Sequence, residues 1–215
     1  MTHAMETCNV LVFVGTEGIH HDHAEQGHFL ASMLSDQPAV DAKLSQDYGI
    51  LASGLESFDT TLFYTDVGEL TEAQEKGLLE YIRAGGGFFG LHTADASFRA
   101  NKGYHAMLNG FFDGHSPYMD FCVEILDPVH PITRQLADFQ VTDELHYLAH
   151  DTSRSQALMQ AYDPTTHKTH VMAYLHSYGK GRVFYFALGH DQAVMQHVSV
   201  QTVVRRGTQW TAKQD

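Results

Sequence analysis

Uninterrupted apolar runs alternate with helix-spaced ones through the first part of the chain. "NVLVFVG" (9–15) has one polar residue at its start and none before its glycine, the pattern of a strand buried on both faces. "HAEQGHFLASMLSD" (23–36) sets Phe29, Leu30, Met33 and Leu34 at helical spacing. "TLFYT" (61–65) is the next clear strand, with "AVDAKLS" (39–45) a weaker one between. A well-punctuated helix follows. Thr71 and Gln74 form a capping box, Leu78, Leu79 and Ile82 make the apolar face, and Gly85 to Gly87 end it. "FFGLH" is then a strand that runs straight into His92. This βαβαβ alternation predicts a parallel sheet covered on both faces.

The second half reads differently. "YMDFCVEI" (118–125), "ALMQAY" (157–162) and "HVMAYLHS" (170–177) are strands with few helices between them, so an antiparallel extension of the sheet is expected. "RVFYFALG" (182–189) is again an unbroken apolar strand, and residues 198–213 form a closing helix that carries Trp210. Strands 9–15, 61–65, 87–91 and 182–188 are expected side by side. With no repeat, low-complexity tract or linker in 215 residues, the chain reads as one domain, 1–215.

Composition narrows the classes. With 43% hydrophobic residues the chain can bury a full core without disulfides or a structural metal. No run of about 18 apolar residues is present, so no membrane span is expected. The first apolar run lacks a basic flank and a small-residue cleavage site ahead of it, which points to the cytoplasm. Two cysteines, Cys8 and Cys122, suit a reducing compartment. A net charge of −13 repels phosphate backbones, so nucleic acid is excluded as a partner. The 16 histidines are the unusual feature.

Ligands of an open parallel sheet bind beyond the carboxyl ends of its strands. Those ends are Gly15-Thr16, Thr65-Asp66, Gly90-Leu91-His92 and Gly189-His190-Asp191, and two of the four carry a histidine directly. "GIHHDH" adds His21 and Asp22, with His20 and His23 expected at the surface. "GHSP" places His115 after a helix, and "TDELHY" offers Asp143, Glu144 and His146. Histidine and carboxylate can hold a zinc-type cation or exchange protons near neutral pH. No compact metal motif such as H-E-x-x-H is present. His105, His150, His167, His170, His176 and His197 read as packed or surface residues.

Other chemistries fail on position. Cys122 lies mid-strand and Cys8 ahead of the first strand, so neither sits at a strand end where a thiolate is activated. There is no G-x-S-x-G elbow. The triple glycine at 85–87 precedes a strand and stops a helix, so it is no phosphate cradle and no nucleotide cofactor is expected.

The segments "LVFVGTEGIHHD", "LTEAQEKGLLEYIRAGGGFFGLHTA", "FFDGHSP", "DPVHPIT", "DELHY" and "YGKGRVFYFALGHD" together resemble the ThuA-like (trehalose utilisation) family, in its order and over nearly the whole chain. The resemblance implies a flavodoxin-like α/β fold, similar to class I glutamine amidotransferases: a mainly parallel sheet with helices on both faces and an antiparallel extension. The amidotransferase nucleophile position falls on His92. The family's polar positions fall on His21, Asp22, His92, His115, Asp143, Glu144, His190 and Asp191. It also implies catabolism of disaccharides, including routes through 3-keto sugars, with a divalent metal in some members. This chain departs from the pattern in "GIHHDH", which has a histidine where an arginine commonly precedes the His-Asp pair, and in Thr208 and Gln209, which replace an apolar pair of the closing helix.

The leading reading is an enzyme acting on a keto-disaccharide or related sugar, an isomerase or a lyase/hydrolase rather than an amidotransferase. His92, His190 and Glu144 are its catalytic candidates, with His92 and His190 alternatively ligands of zinc, nickel or manganese. His21, Asp22, His115, Asp143 and Asp191 are the candidate substrate-binding residues. The other reading is a non-catalytic sugar or small-molecule binding domain. Association into a homo-oligomer stays open. His92 and His190 are expected to face one another across a polar pocket, with His21, Asp22 and Glu144 in its wall.

Overall fold

The structure, a computed structural model, describes residues 7–16 and 23–214. His20, His21 and Asp22 lie outside the described residues. In chain order the elements are β1 (Cys8–Val14), α1 (His23–Ser35), β2 (Val40–Ser45), α2 (Gly49–Ala52), β3 (Thr60–Tyr64), α3 (Glu72–Ala84), β4 (Gly87–Leu91) and α4 (Lys102–Leu108). The second half holds β5 (Gly110–His115), β6 (Met119–Ile125), β7 (Phe139–Asp143), β8 (His146–His150), β9 (Gln156–Asp163), β10 (Lys168–Tyr178), β11 (Gly181–Phe186), α5 (Gln192–Met195) and α6 (Val198–Thr211).

Nine strands form one sheet in the order β2-β1-β3-β4-β11-β10-β9-β6-β7. The first five are mutually parallel, with Leu62 and Phe184 both opposite Phe89 across the central pairings. The four strands with unbroken apolar sequence are therefore neighbours, as expected, and every residue of β3 and β4 is buried. Both faces of the sheet are covered. Phe88 and Phe89 point to opposite sides, as successive strand residues must. Phe88 stands edge-on to Tyr104 of α4, whereas Phe89 meets α6 at Gly207. A Cβ at Gly207 would lie 2.6 Å from Phe184 and 3.1 Å from Phe89, so glycine sets how closely α6 approaches. The capping box of Thr71 and Gln74 opens α3.

The parallel half ends at a hairpin. Tyr178 pairs with Gly181 across a two-residue turn in which Gly179 has φ +64°, and so short a link can join only antiparallel strands. A Cβ on Gly179 would also meet the Arg83 backbone at 2.8 Å. From β10 onward the pairings are antiparallel, and β5 with β8 makes a separate two-stranded sheet.

Two details differ from the sequence reading. A helix does precede His115, as α4, but β5 intervenes and His115 ends that strand. Cys8 is the first residue of β1 and is buried, not a residue ahead of the strand. Among the described residues no helix is long and apolar enough to cross a membrane.

Candidate functional site

Three neighbouring strands, β3, β4 and β11, deliver Asp66, His92 and His190 at or just beyond their carboxyl ends. His92 follows β4 directly and takes φ +49°, a left-handed conformation that strains a residue with a side chain. Such strain persists only where surrounding structure enforces it, and it gathers at functional sites. Here the enforcement is visible. The Tyr185 hydroxyl donates to the His92 carbonyl at 2.8 Å, and the His92 ring Nδ1 lies 2.8 Å from the Ala187 carbonyl. A carbonyl only accepts, so Nδ1 carries a ring proton and Nε2 is the nitrogen on the other side of the ring.

His190 approaches with its ring centre 5.7 Å from that of His92, nearly perpendicular. The two imidazoles do face one another. Glu144 joins them from the turn between β7 and β8. Its Oε2 lies 3.2 Å from His190 Nδ1, its Oε1 3.5 Å from His115 Nδ1. One donor atom each of His92, Glu144 and His190 lies within 4.8 Å of the others. His92 is fully buried, while Glu144 and His190 are partly exposed.

Asp143 sets the position of Glu144. Its buried carboxylate accepts the Glu144 N–H at 2.7 Å and the Gly189 N–H at 2.9 Å. Burial lifts its carboxyl to about 7, with those backbone donors pulling the other way. A second buried pair lies under His92. The His146 ring is 4.4 Å from that of His92, and its Nδ1 is 3.2 Å from Asp95. Burial alone would lower the His146 pKa, but Asp95 outweighs it and holds the imidazole above the usual histidine value.

Over these groups opens a cavity of about 820 Å³, walled by Asp66, Phe112, His115, Glu144, His146 and His190 among others. Asp143 and Asp191 do not line it. Asp191 caps α5 by accepting from Val194 N–H at 3.0 Å and takes a hydrogen bond from the Tyr118 hydroxyl at 2.7 Å. Burial would raise its pKa, but the Val194 N–H and the Tyr118 hydroxyl keep its carboxyl below the usual range.

His23 departs from the sequence reading, which put it at the surface. It is buried against the pocket wall, with Nδ1 3.0 Å from the Gly15 carbonyl and Nε2 3.5 Å from Asp66. Asp95 was not singled out from sequence, and neither His146 nor Asp66 was assigned a role. Asp66 was legible as a strand end. Asp95 gave no signal beyond its place three residues after His92.

The parallel core and the antiparallel extension define a flavodoxin-like α/β protein, with a histidine on the strained turn after β4. The chain belongs to the ThuA (trehalose utilisation) family, matching it over residues 9–211. It is similar in fold to a ThuA-like protein from Parabacteroides merdae, with 20% identity, TM-score 0.80, and 96% of this chain and 90% of that one covered. A ThuA-like protein from Bacteroides uniformis aligns with TM-score 0.82 at 17% identity over 98% and 94% of the two chains. A protein described as cytoplasmic from Salmonella typhimurium LT2 aligns with TM-score 0.71 at 14% identity over 94% and 99%. A comparison with curated proteins gives no match.

Proposed function

We propose that this protein is an enzyme of carbohydrate metabolism that acts on a keto-sugar, a keto-disaccharide or a related molecule, by metal-assisted isomerisation or elimination. The observation that carries the reading is the convergence of one donor atom each from His92, Glu144 and His190 within 4.8 Å. Two imidazole nitrogens and a carboxylate oxygen fit zinc, nickel or manganese, and the Ala187 carbonyl engages His92 through Nδ1, so Nε2 is the nitrogen that would ligate such an ion. Bound there, a divalent cation would supply Lewis acidity toward a carbonyl oxygen.

The remaining groups position and bind. Ala187 fixes the His92 ring, and Asp143 fixes the backbone on which Glu144 and His190 stand, the kind of outer support that metal ligands require. His115, at the exposed rim, and Glu144 offer hydrogen bonds to sugar hydroxyls, and Phe112 gives the cavity an apolar wall. His21 and Asp22 belong to the same proposal as substrate-binding residues.

The test is turnover of a panel of 3-keto-glucosides by the purified protein and by His92→Ala. The expected result is measurable turnover by the unaltered protein and loss of at least about 100-fold in the variant, with melting behaviour retained. Equal turnover by both proteins would refute the assignment. Binding of the sugars with no turnover by either would identify a sugar-binding domain instead.

A further inference from the structure

A substrate of two linked sugars needs room for a second ring beside the one that reacts. We infer that the hollow beside Tyr118, between the edge strands β6 and β7 and helix α5, is the subsite for that second sugar unit; the inference deepens the carbohydrate reading above and rests on it. The hollow has a volume of about 590 Å³ and is walled by Tyr118, Asp120, Gln140, Thr142 and His197 among others. Three chain segments wall both spaces. His115 and Tyr118, Glu144 and Thr142, and His190 and Ala193 each place the first residue on the metal-site cavity and the second on the hollow. The Tyr118 ring centre lies 5.6 Å from that of His190. A ligand that extends from the metal site past His190 meets Tyr118 next.

The chemistry of the wall fits a sugar. Tyr118 is 44% exposed, an aromatic ring left in water at the edge of the site. It is nevertheless held in place: its hydroxyl donates to Asp191 Oδ2 at 2.7 Å, and Asp191 is itself fixed as the cap of α5. A ring so held loses little further freedom when a ligand packs on it. A pyranose has apolar C–H faces and a rim of hydroxyls. Tyr118 offers an aromatic surface to the first, and the outer faces of β6 and β7 offer polar partners to the second. Strand alternation puts those partners there: Phe121 and Phe139 turn inward, so Asp120, Gln140 and Thr142 turn out. The Thr142 hydroxyl donates to Asp120 Oδ1, which orients that carboxylate and leaves Oδ2 for a ligand hydroxyl. The Gln140 side chain makes no hydrogen bond among the described residues, so its amide has both a donor and an acceptor to give. No lysine or arginine is among the described wall residues, so the hollow selects a neutral, hydroxyl-rich ligand rather than an anion.

This sets the length and polarity of the substrate. The ring that bears the carbonyl lies at His92, Glu144 and His190, and the second, unreacted ring lies against Tyr118. Contacts to that remote ring help to align the reacting one. A single sugar fills only the first space and forgoes them. Tyr118 is a specificity-determining residue and takes no part in bond making.

Saturation-transfer NMR titrations with trehalose and with methyl α-glucoside, a two-ring and a one-ring neutral sugar, test this. Neither has a free carbonyl, so affinity is read whether or not the protein turns over a keto-sugar. The unaltered protein should bind trehalose at least about 10-fold more tightly than methyl α-glucoside. Tyr118→Ala should bring the two within about threefold, by weakening trehalose alone. Tyr118→Phe, which keeps the ring, should retain the preference. Tyr118 lies at the surface, so the alanine variant should melt as the unaltered protein does. Equal affinities in the unaltered protein, or an undiminished preference in folded Tyr118→Ala, would overturn the subsite. An intact two-ring preference without turnover of any 3-keto-glucoside would instead overturn the enzymatic reading, so the two failures are distinguishable.

Discussion

Asp143, the last residue of β7, accepts a hydrogen bond from the backbone N–H of Gly189, just beyond β11, at 2.9 Å. In the sheet order these strands are four positions apart, which in a flat sheet would separate them by about 19 Å. The antiparallel half therefore curls back over the strand ends of the parallel half, and Asp143 ties the curl down. The same carboxylate holds the Glu144 N–H.

Asp143→Ala should accordingly weaken Zn²⁺ binding by about 10- to 100-fold, as loss of outer support does at other metal sites. It should also lower the melting temperature, because the buried Gly189 N–H and the part-buried Glu144 N–H lose their acceptor. Asp143→Asn keeps one carbonyl oxygen and should recover part of both. Calorimetric titration and thermal melts of the two variants check this; undiminished Zn²⁺ affinity in Asp143→Ala would show that the tether does not position Glu144.

Neither cysteine should matter to activity. Cys8 opens β1 at the end of the sheet away from the site, and burial, reinforced by Asp59, pushes its thiol up to about 11. Cys122 lies in β6, where burial and then Asp138 and Glu124 raise its thiol too. Both stay protonated at neutral pH. The double variant Cys8→Ala/Cys122→Ala should turn over a keto-sugar at the unaltered rate. It should lose about 1 kcal/mol of stability, mostly from buried Cys8. Abolished turnover in a folded double variant would restore thiolate chemistry to consideration.

The parallel core was legible because β1, β3, β4 and β11 are buried on both faces, which writes unbroken apolar runs into the sequence. His92 and His190 were legible for the same reason, as polar residues just beyond such runs. β7 and β8 were not, since each is five residues long and half-exposed, with alternation too brief to separate from loop. The reach of Glu144 depends on sheet curl, a tertiary property with no local sequence mark. His23 looked solvated because it follows a run of polar residues, yet it is the first residue of α1 and that helix start packs against Tyr64 and Asp66.

Asp163 should give the fold an acid limit. Burial would raise its pKa, but the Tyr147, Thr165 and Thr166 hydroxyls and the Thr165 N–H outweigh burial and hold it well below the usual carboxylate range. A group with a depressed folded-state pKa contributes stability above its unfolded value, about 3.9, and loses it as pH falls toward the folded value. Asp163→Ala should cost about 2–3 kcal/mol at neutral pH from lost charge-assisted hydrogen bonds. The difference from the unaltered protein should stay constant above about pH 5 and shrink below about pH 4. Urea unfolding across that range measures it, and a difference that grows on acidification would contradict the assignment.

The most direct test of the account is crystallographic: anomalous scattering recorded on either side of the zinc edge from crystals of the protein equilibrated with Zn²⁺. The account predicts a single strong peak bounded by His92 Nε2, the Glu144 carboxylate and a ring nitrogen of His190, and no such peak in His92→Ala crystals treated alike. A saturated crystal with no density among those three groups, or with its ion held elsewhere on the chain, would contradict the central claim.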